Sequence, residues 1–183
     1  MTDYEGDLDW HHFWGEYLDA YVDTLGVPDD LRVDVTEHLA SEFASAALWT
    51  RVIEGSKEAL ADLAATGVRL GIISNADGSV GARLRDQEVL QVGAGMGVPV
   101  DCLIDSGEVG VQKPDVRIFR IALDAMGIEA HQAWYVGDMP GIDVVGARAA
   151  GLHPIVMDPF GLHGHADYAT VGSLSELVSA AAG

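Results

Sequence analysis

Cysteine is nearly absent: Cys102 is the only one in the 183 residues. No intrachain disulfide can form, and a cysteine-based zinc site is excluded. Positive charge is scarce as well. Ten Lys and Arg face 29 Asp and Glu, a net charge of −19, and the only lysines are Lys57 and Lys113. A surface that acidic repels nucleic acid and anionic membranes, so neither is expected as a partner. It does not steer an anionic substrate inward either, so any phosphate site must be locally basic or metal-assisted. Long apolar runs are missing too, and nothing approaches the roughly 20 residues that span a bilayer. The opening Met1-Thr2-Asp3-Tyr4-Glu5-Gly6-Asp7 has neither the basic nor the apolar region of a signal peptide. A cytoplasmic location is the expectation. With 49% hydrophobic residues, no low-complexity segment and no internal repeat, the chain suits one core, or a core with a small accessory domain.

Residues 8 to 50 read as helices. Trp10, Phe13, Trp14, Leu18, Tyr21, Val22 and Leu25 recur at spacings of three and four, which puts them on one stripe, and Gly26-Val27-Pro28 ends the segment. Leu31 to Leu48 repeats the pattern with Val35, Leu39, Phe43 and Ala47. Such a stripe is core rather than a ligand box. From residue 51 the texture alternates. Helices are predicted at Ser56–Ala65, with Ser56 as a candidate N-cap, and at Val80–Val92, Asp115–Met126, Ile142–Ala150 and Ser173–Ala182, the last with Ser173 as its cap. Strands are predicted at Val68–Ile73, Cys102–Ile104, Ala133–Val136 and Pro154–Met157. Strand–helix alternation predicts an α/β fold, a Rossmann-like parallel sheet covered by helices on both faces, over residues 51–183, with residues 1–50 as a separate helical part.

In such folds ligands sit at the carboxyl ends of the strands, so the residues that follow each strand are the informative ones. After Val68–Ile73 come Ser74 and Asn75. After Cys102–Ile104 come Asp105-Ser106-Gly107, then Lys113-Pro114 ahead of a helix. After Ala133–Val136 come Gly137-Asp138-Met139-Pro140-Gly141-Ile142-Asp143. Singly these are unremarkable, since Ser74 could be a helix cap, Lys113 a solvated side chain and Asp138 a turn residue. Jointly they gather a hydroxyl, a lysine and two aspartates on one rim. Ser74 and the amides after it can hold a phosphate oxygen. Lys113 is a point positive charge for phosphate or carboxylate. Asp138 and Asp143 are hard oxygen donors suited to Mg²⁺. What is missing is an attacking group.

Ile72-Ile73-Ser74-Asn75-Ala76 resembles the second motif of the haloacid dehalogenase-like superfamily. Ser106 to Asp115, with Lys113 before Pro114-Asp115, resembles the third. Val136-Gly137-Asp138 with Asp143 five residues on resembles the fourth, and Gly146-Ala147-Arg148-Ala149-Ala150-Gly151 is its familiar continuation. The resemblance covers about residues 51 to 158, and the N-terminal helices are similar to the small cap domain of one large subgroup. It implies a Mg²⁺-dependent hydrolase, a phosphatase acting on a small phosphorylated substrate. Ser74 would bind the transferring phosphoryl group and Asn75 would help shape its pocket. Lys113 would bridge nucleophile and phosphate, Asp138 would ligate the metal, and Asp143 would support the metal shell or Lys113.

The first motif of that family, an apolar strand ending in Asp-x-Asp whose first Asp attacks phosphorus, does not carry over. Asp7-Leu8-Asp9 is the only Asp-x-Asp near the start. Thr2-Asp3-Tyr4-Glu5-Gly6 before it cannot make a buried parallel strand, and Trp10-His11-His12 follows in place of Gly-Thr. Acids at a helix N-terminus are its plainer reading. The expectation is therefore a chain whose true start lies upstream of Met1. Alone it should be inactive and poorly stable, with a slot between the strands ending at Ser74 and Asp138. Two alternatives accompany the phosphatase: a non-catalytic phosphate- or metal-binding protein, and a haloacid dehalogenase, which has no metal demand. Val89 to Gly97 resembles a dinucleotide loop, but Val98 occupies the third glycine position and Pro99 follows, so nicotinamide or flavin binding is not expected. His11-His12 and His163-Gly164-His165 lack partners at ligand spacing and read as surface histidines. Cys102 reads as inert core.

Overall fold

The computed structural model describes residues 10–43, 50–163 and 166–181, and their side chains from residue 15 onward. Asp7-Leu8-Asp9, Ala47, Leu48, Gly164 and His165 lie outside the described residues, as do the side chains of Trp10, His11, His12, Phe13 and Trp14. The chain divides into two units, Met1–Arg51 and Val52–Gly183.

The first unit is a helical hairpin of α1 (Trp10–Thr24) and α2 (Arg32–Phe43), turned at Gly26 with φ 65. Leu18 and Val22, one turn apart, are buried. Two others of the expected stripe, Tyr21 and Leu25, are exposed, because an α-helix in a two-helix hairpin has a narrow covered face. Phe43 meets Tyr17 and Tyr21 edge-on, with centroids 5.9 and 6.1 Å apart. Arg32 bridges to Asp19 and Asp23 across the turn.

The second unit alternates as expected. Helices α3 (Ser56–Ala65), α4 (Val80–Asp86), α5 (Ser106–Val109), α6 (Val116–Met126), α7 (Pro140–Ala150) and α8 (Leu174–Ala181) accompany seven short strands. These are β1 (Gly71–Ser74), β2 (Leu90–Val92), β3 (Val98–Val100), β4 (Cys102–Asp105), β5 (Trp134–Gly137), β6 (His153–Met157) and β7 (Ala169–Val171). Every pairing is parallel, in three ladders: β1 with β4, β2 with β3, and β5–β6–β7. The Rossmann-like α/β reading holds. β1 and β5, whose ends carry Ser74 and Asp138, sit in different ladders, and among the described residues each is paired on one side only. The core packs Cys102 and Ile104 of β4 against Ile118, Phe119, Ala122 and Leu123 of α6 and Ala147 of α7, with Ile73 and Tyr135 alongside. Cys102 is buried, and burial pushes its thiol up, as an inert core residue should be.

Several local expectations need correction. Gly55, left-handed at φ 79, occupies the N-cap of α3, and Ser56 is its first helical residue. β1 begins only at Gly71. α4 stops at Asp86, and the apolar Leu90–Val92 is strand rather than helix. β3 and β7 were not anticipated, being three residues each. Parallel neighbours ordinarily need a long crossover, yet only Gly93 to Gly97 separates β2 from β3. The loop closes tightly because a Cβ on Gly97 would fall 2.7 Å from the Leu90 backbone nitrogen.

Candidate active site

The parallel strands of the second unit deliver their carboxyl ends to the loops that carry the motif residues. Register sets Ser74 beside Asp105, so the ends of β1 and β4 are level. Ser74 is half-buried and Asn75 exposed. The Ser106 hydroxyl accepts from the Ala76 amide and donates to the Ala76 carbonyl, both at 3.0 Å, tying the two loops together. Gly107 permits this approach, since a Cβ there would sit 2.5 Å from the Asp77 carbonyl carbon. Asp105 is fully buried. It accepts from Gly107 N at 2.9 Å and Val80 N at 3.3 Å, so one carboxylate serves the first residues of α4 and α5.

Asn75 holds the backbone of Lys113. Its amide nitrogen donates to the Lys113 carbonyl at 3.0 Å, and its amide oxygen accepts from the Lys113 N–H at 2.8 Å. The lysine side chain turns inward. Nζ donates to Asp143 Oδ1 at 2.7 Å and to the Tyr135 hydroxyl at 2.9 Å, and Tyr135 donates to the same Oδ1 at 2.9 Å. The other Asp143 oxygen accepts from the backbone N–H groups of Asp138 and Met139 at 3.1 and 2.9 Å. Asp143 is 2% exposed and its charge is balanced on both sides. Gly137 must be glycine, because a Cβ would run into the Asp143 carboxyl group. Pro140 at the first position of α7 suits a helix start and leaves Asp143 in the first turn. Burial, and then the Asp143 carboxylate, push the Tyr135 phenol far above its ordinary value, so it is a neutral donor. Asp138 is exposed at the end of β5.

One continuous path of hydrogen bonds thus runs from Asn75 through Lys113 and Asp143 to the backbone of Asp138. A family model for haloacid dehalogenase-like hydrolases matches residues 7–151 of this chain. The chain belongs to that family. The match extends beyond the three recognised motifs into the N-terminal helices. The haloacid dehalogenase-like hydrolase domain-containing protein 3 of Bos taurus is 32% identical over 148 residues, covering 80% of this chain and 56% of that protein. A phosphoserine phosphatase of Thermus thermophilus is 40% identical over 99 residues, covering 54% and 37%. The chain spans about half the length of the curated relatives it matches. The crystal structure of a HAD phosphatase from Thermococcus onnurineus superposes with a TM-score of 0.61 at 21% identity, covering 93% of this chain and 88% of that one, a likeness of fold.

For a haloacid dehalogenase-like hydrolase, the donor set suits Mg²⁺ in part. Mg²⁺ takes one or two carboxylates and fills its octahedron with waters and phosphate oxygens. Asp138 is an exposed hard donor of that kind. Asp143 is not free in the same way: both of its oxygens already accept hydrogen bonds, and its geometry is that of a support for Lys113 and for the loop that presents Asp138. Among the described residues no three His, Cys, Asp or Glu side chains cluster as a protein-made metal cage. A cavity of about 360 Å³ lies beyond the ends of β1 and β4, lined by Ala76, Ser106, Gly107, Gly110, Val111 and Gln112. A larger hollow of about 500 Å³, lined by Val68, Arg69, Leu70, Val100 and Asp101 among others, includes no motif residue.

Other candidates have structural explanations. The glycine loop after β2 is filled by the chain itself: Gln91 accepts from Gly97 N at 2.9 Å and donates to the Gly97 carbonyl at 3.0 Å. His163 faces Tyr168, and its backbone N–H donates to Asp158. Two residues of the site carried no assigned role in the sequence. Asp105 had a signal, an acid directly after an apolar strand. Tyr135 had none, because an aromatic inside an apolar strand reads as core.

Proposed function

We propose that this chain carries the phosphate- and metal-binding rim of a Mg²⁺-dependent phosphatase for a small organic phosphate ester. The observation behind it is the hydrogen-bonded path that fixes Lys113 between the ends of β1 and β5. In this reading Ser74 donates to an oxygen of the transferring phosphoryl group. Asn75 holds the Lys113 backbone in place. The Lys113 ammonium neutralises phosphate charge, and its low-dielectric surroundings strengthen that attraction. Asp138 holds the metal, with Asp143 behind it. Bound there, Mg²⁺ would act as Lewis acid and template for in-line phosphoryl transfer. The attacking carboxylate that the family resemblance implies is not assigned to a described residue. Retention of Asp138 favours this reading over a dehalogenase, which needs no metal.

Titration of the full chain with orthophosphate, with and without Mg²⁺, tests it. Saturable binding that requires Mg²⁺ is expected, weakened about tenfold or more by Asp138→Asn and by Lys113→Ala, since charge-assisted hydrogen bonds are lost. No phosphate binding, or binding indifferent to chelator, would sink it. Release of phosphate from phosphoserine or other small monoesters by the same chain would show a hydrolase and overturn the expectation that the chain alone is inactive; no release is expected.

A further inference from the structure

A lysine ammonium has three N–H donors. In this structure Asp143 Oδ1 takes one at 2.7 Å and the Tyr135 hydroxyl takes another at 2.9 Å. Tyr135 closes the triangle by donating to that same Oδ1 at 2.9 Å. A single carboxylate would leave the ammonium free to rotate about its Cε–Nζ bond and to swing on its four-carbon stem. Two acceptors at fixed positions set the direction of the third N–H. Tyr135 is well placed to be the fixed one. Its ring packs edge-on against Phe119, centroids 4.9 Å apart, and Phe119 is wholly buried. The other end of Lys113 is gripped at its backbone by Asn75.

We propose that the Tyr135 hydroxyl is a positioning group for Lys113, aiming its third N–H at a phosphoryl oxygen of the bound ester. The aim, though not the restraint, rests on the phosphate-site reading above. Tyr135 touches no substrate in this scheme and acts only through Lys113. A hydroxyl that merely satisfied itself inside the core would leave Lys113 as ordered without it as with it.

The chain has only two lysines, so ¹³C label at lysine Cε gives two resonances, with Lys57 as internal reference. In the parent, Lys113 is expected to be at least as ordered by relaxation as Lys57, whose Nζ donates to the Gln87 carbonyl; a Lys113 less ordered than Lys57 overturns the proposal. Tyr135→Phe keeps the ring and its contact with Phe119 while removing the hydroxyl. Lys113 should lose order in this variant, Lys57 should not, and the thermal midpoint should stay near the parent's. An unchanged Lys113 signal would reject the restraint. Orthophosphate titrated with Mg²⁺ onto the same resonance should need about threefold to tenfold more phosphate in the variant, the loss of one hydrogen bond's guidance. Equal affinity would reject the aim. If phosphate leaves the parent's Lys113 resonance unmoved, the phosphatase reading and the aim fall together, while the order comparison still decides the restraint.

Discussion

At the scale of single residues, Asp143 does the most. It accepts from Lys113, Tyr135, Asp138 N and Met139 N, so one carboxylate serves a charge, a phenol and a backbone turn. Removing it leaves the Lys113 ammonium, 13% exposed, without its counter-charge. Breaking a buried pair from one side costs about 3–5 kcal/mol. Lys113 is not wholly enclosed, so the low end of that range is expected for Asp143→Ala, read as a lowered urea midpoint at unchanged slope. A midpoint equal to the parent's would mean that water replaces the carboxylate freely. The surface pair Arg69–Asp101, 2.9 Å long but about half exposed on the arginine side, should be worth under about 1 kcal/mol by the same measurement.

At the scale of elements, the contact between α6 and α7 positions the site. Gly146 of α7 meets Phe119 of α6 so closely that a Cβ would lie 2.5 Å from its ring and 2.9 Å from the Pro114 carbonyl oxygen. Helix propensity favours alanine over glycine by about 1 kcal/mol. Overpacking a rigid core costs about 1–3 kcal/mol, and Phe119 is wholly buried, with no room to yield. Packing therefore wins, and Gly146→Ala should destabilise on balance. Because Pro114 follows Lys113 and Phe119 backs Tyr135, the same variant should weaken phosphate binding, although residue 146 lies outside the site. Chemical denaturation and phosphate titration on one preparation check both halves, and a stabilised variant would show that α7 can slide.

At the scale of the whole molecule, charge sets how stability varies with pH. Four carboxylates lie below their ordinary value of 3.8: Asp77 through the Ser79 hydroxyl, Asp115 through the Arg117 guanidinium, Asp158 through the His163 amide and Asp167 through the Arg148 guanidinium. Each is depressed in the folded state, so the unfolded chain takes up protons first as pH falls. Their stabilisation is complete above about pH 4–5 and is lost as pH drops through the folded values. Self-repulsion works the other way, since the net charge of −19 shrinks toward the isoelectric point near 4.3. The thermal midpoint should therefore hold or rise slightly from pH 7 to about 5 and then fall below about 4, by a modest amount for these four carboxylates because solvent screens them. At pH 7, added salt should raise it by screening. A midpoint flat between pH 5 and 3 would remove these four carboxylates from the account. No helix among the described residues is long and apolar enough to cross a membrane.

The sequence by itself determined the alternating order of the second unit and which residues stand at the ends of its strands. Periodicity and turn residues report local geometry, and in a parallel sheet local geometry is enough to name the rim. Ser74, Asn75, Lys113, Asp138 and Asp143 were legible for that reason, as was Cys102 as core. Short strands are not, because three residues carry no period: Leu90–Val92 reads as the end of a helix, and Val98–Val100 gives no strand signal. Only the tertiary structure decided who bonds to whom. Asn75 reaches Lys113 across 38 positions and Lys113 reaches Asp143 across 30. Those partners depend on how α6 and α7 pack over two ladders. Tyr135 is the sharpest case: alternation makes it a core aromatic, and only the approach of Lys113 and Asp143 gives its hydroxyl anything to hold.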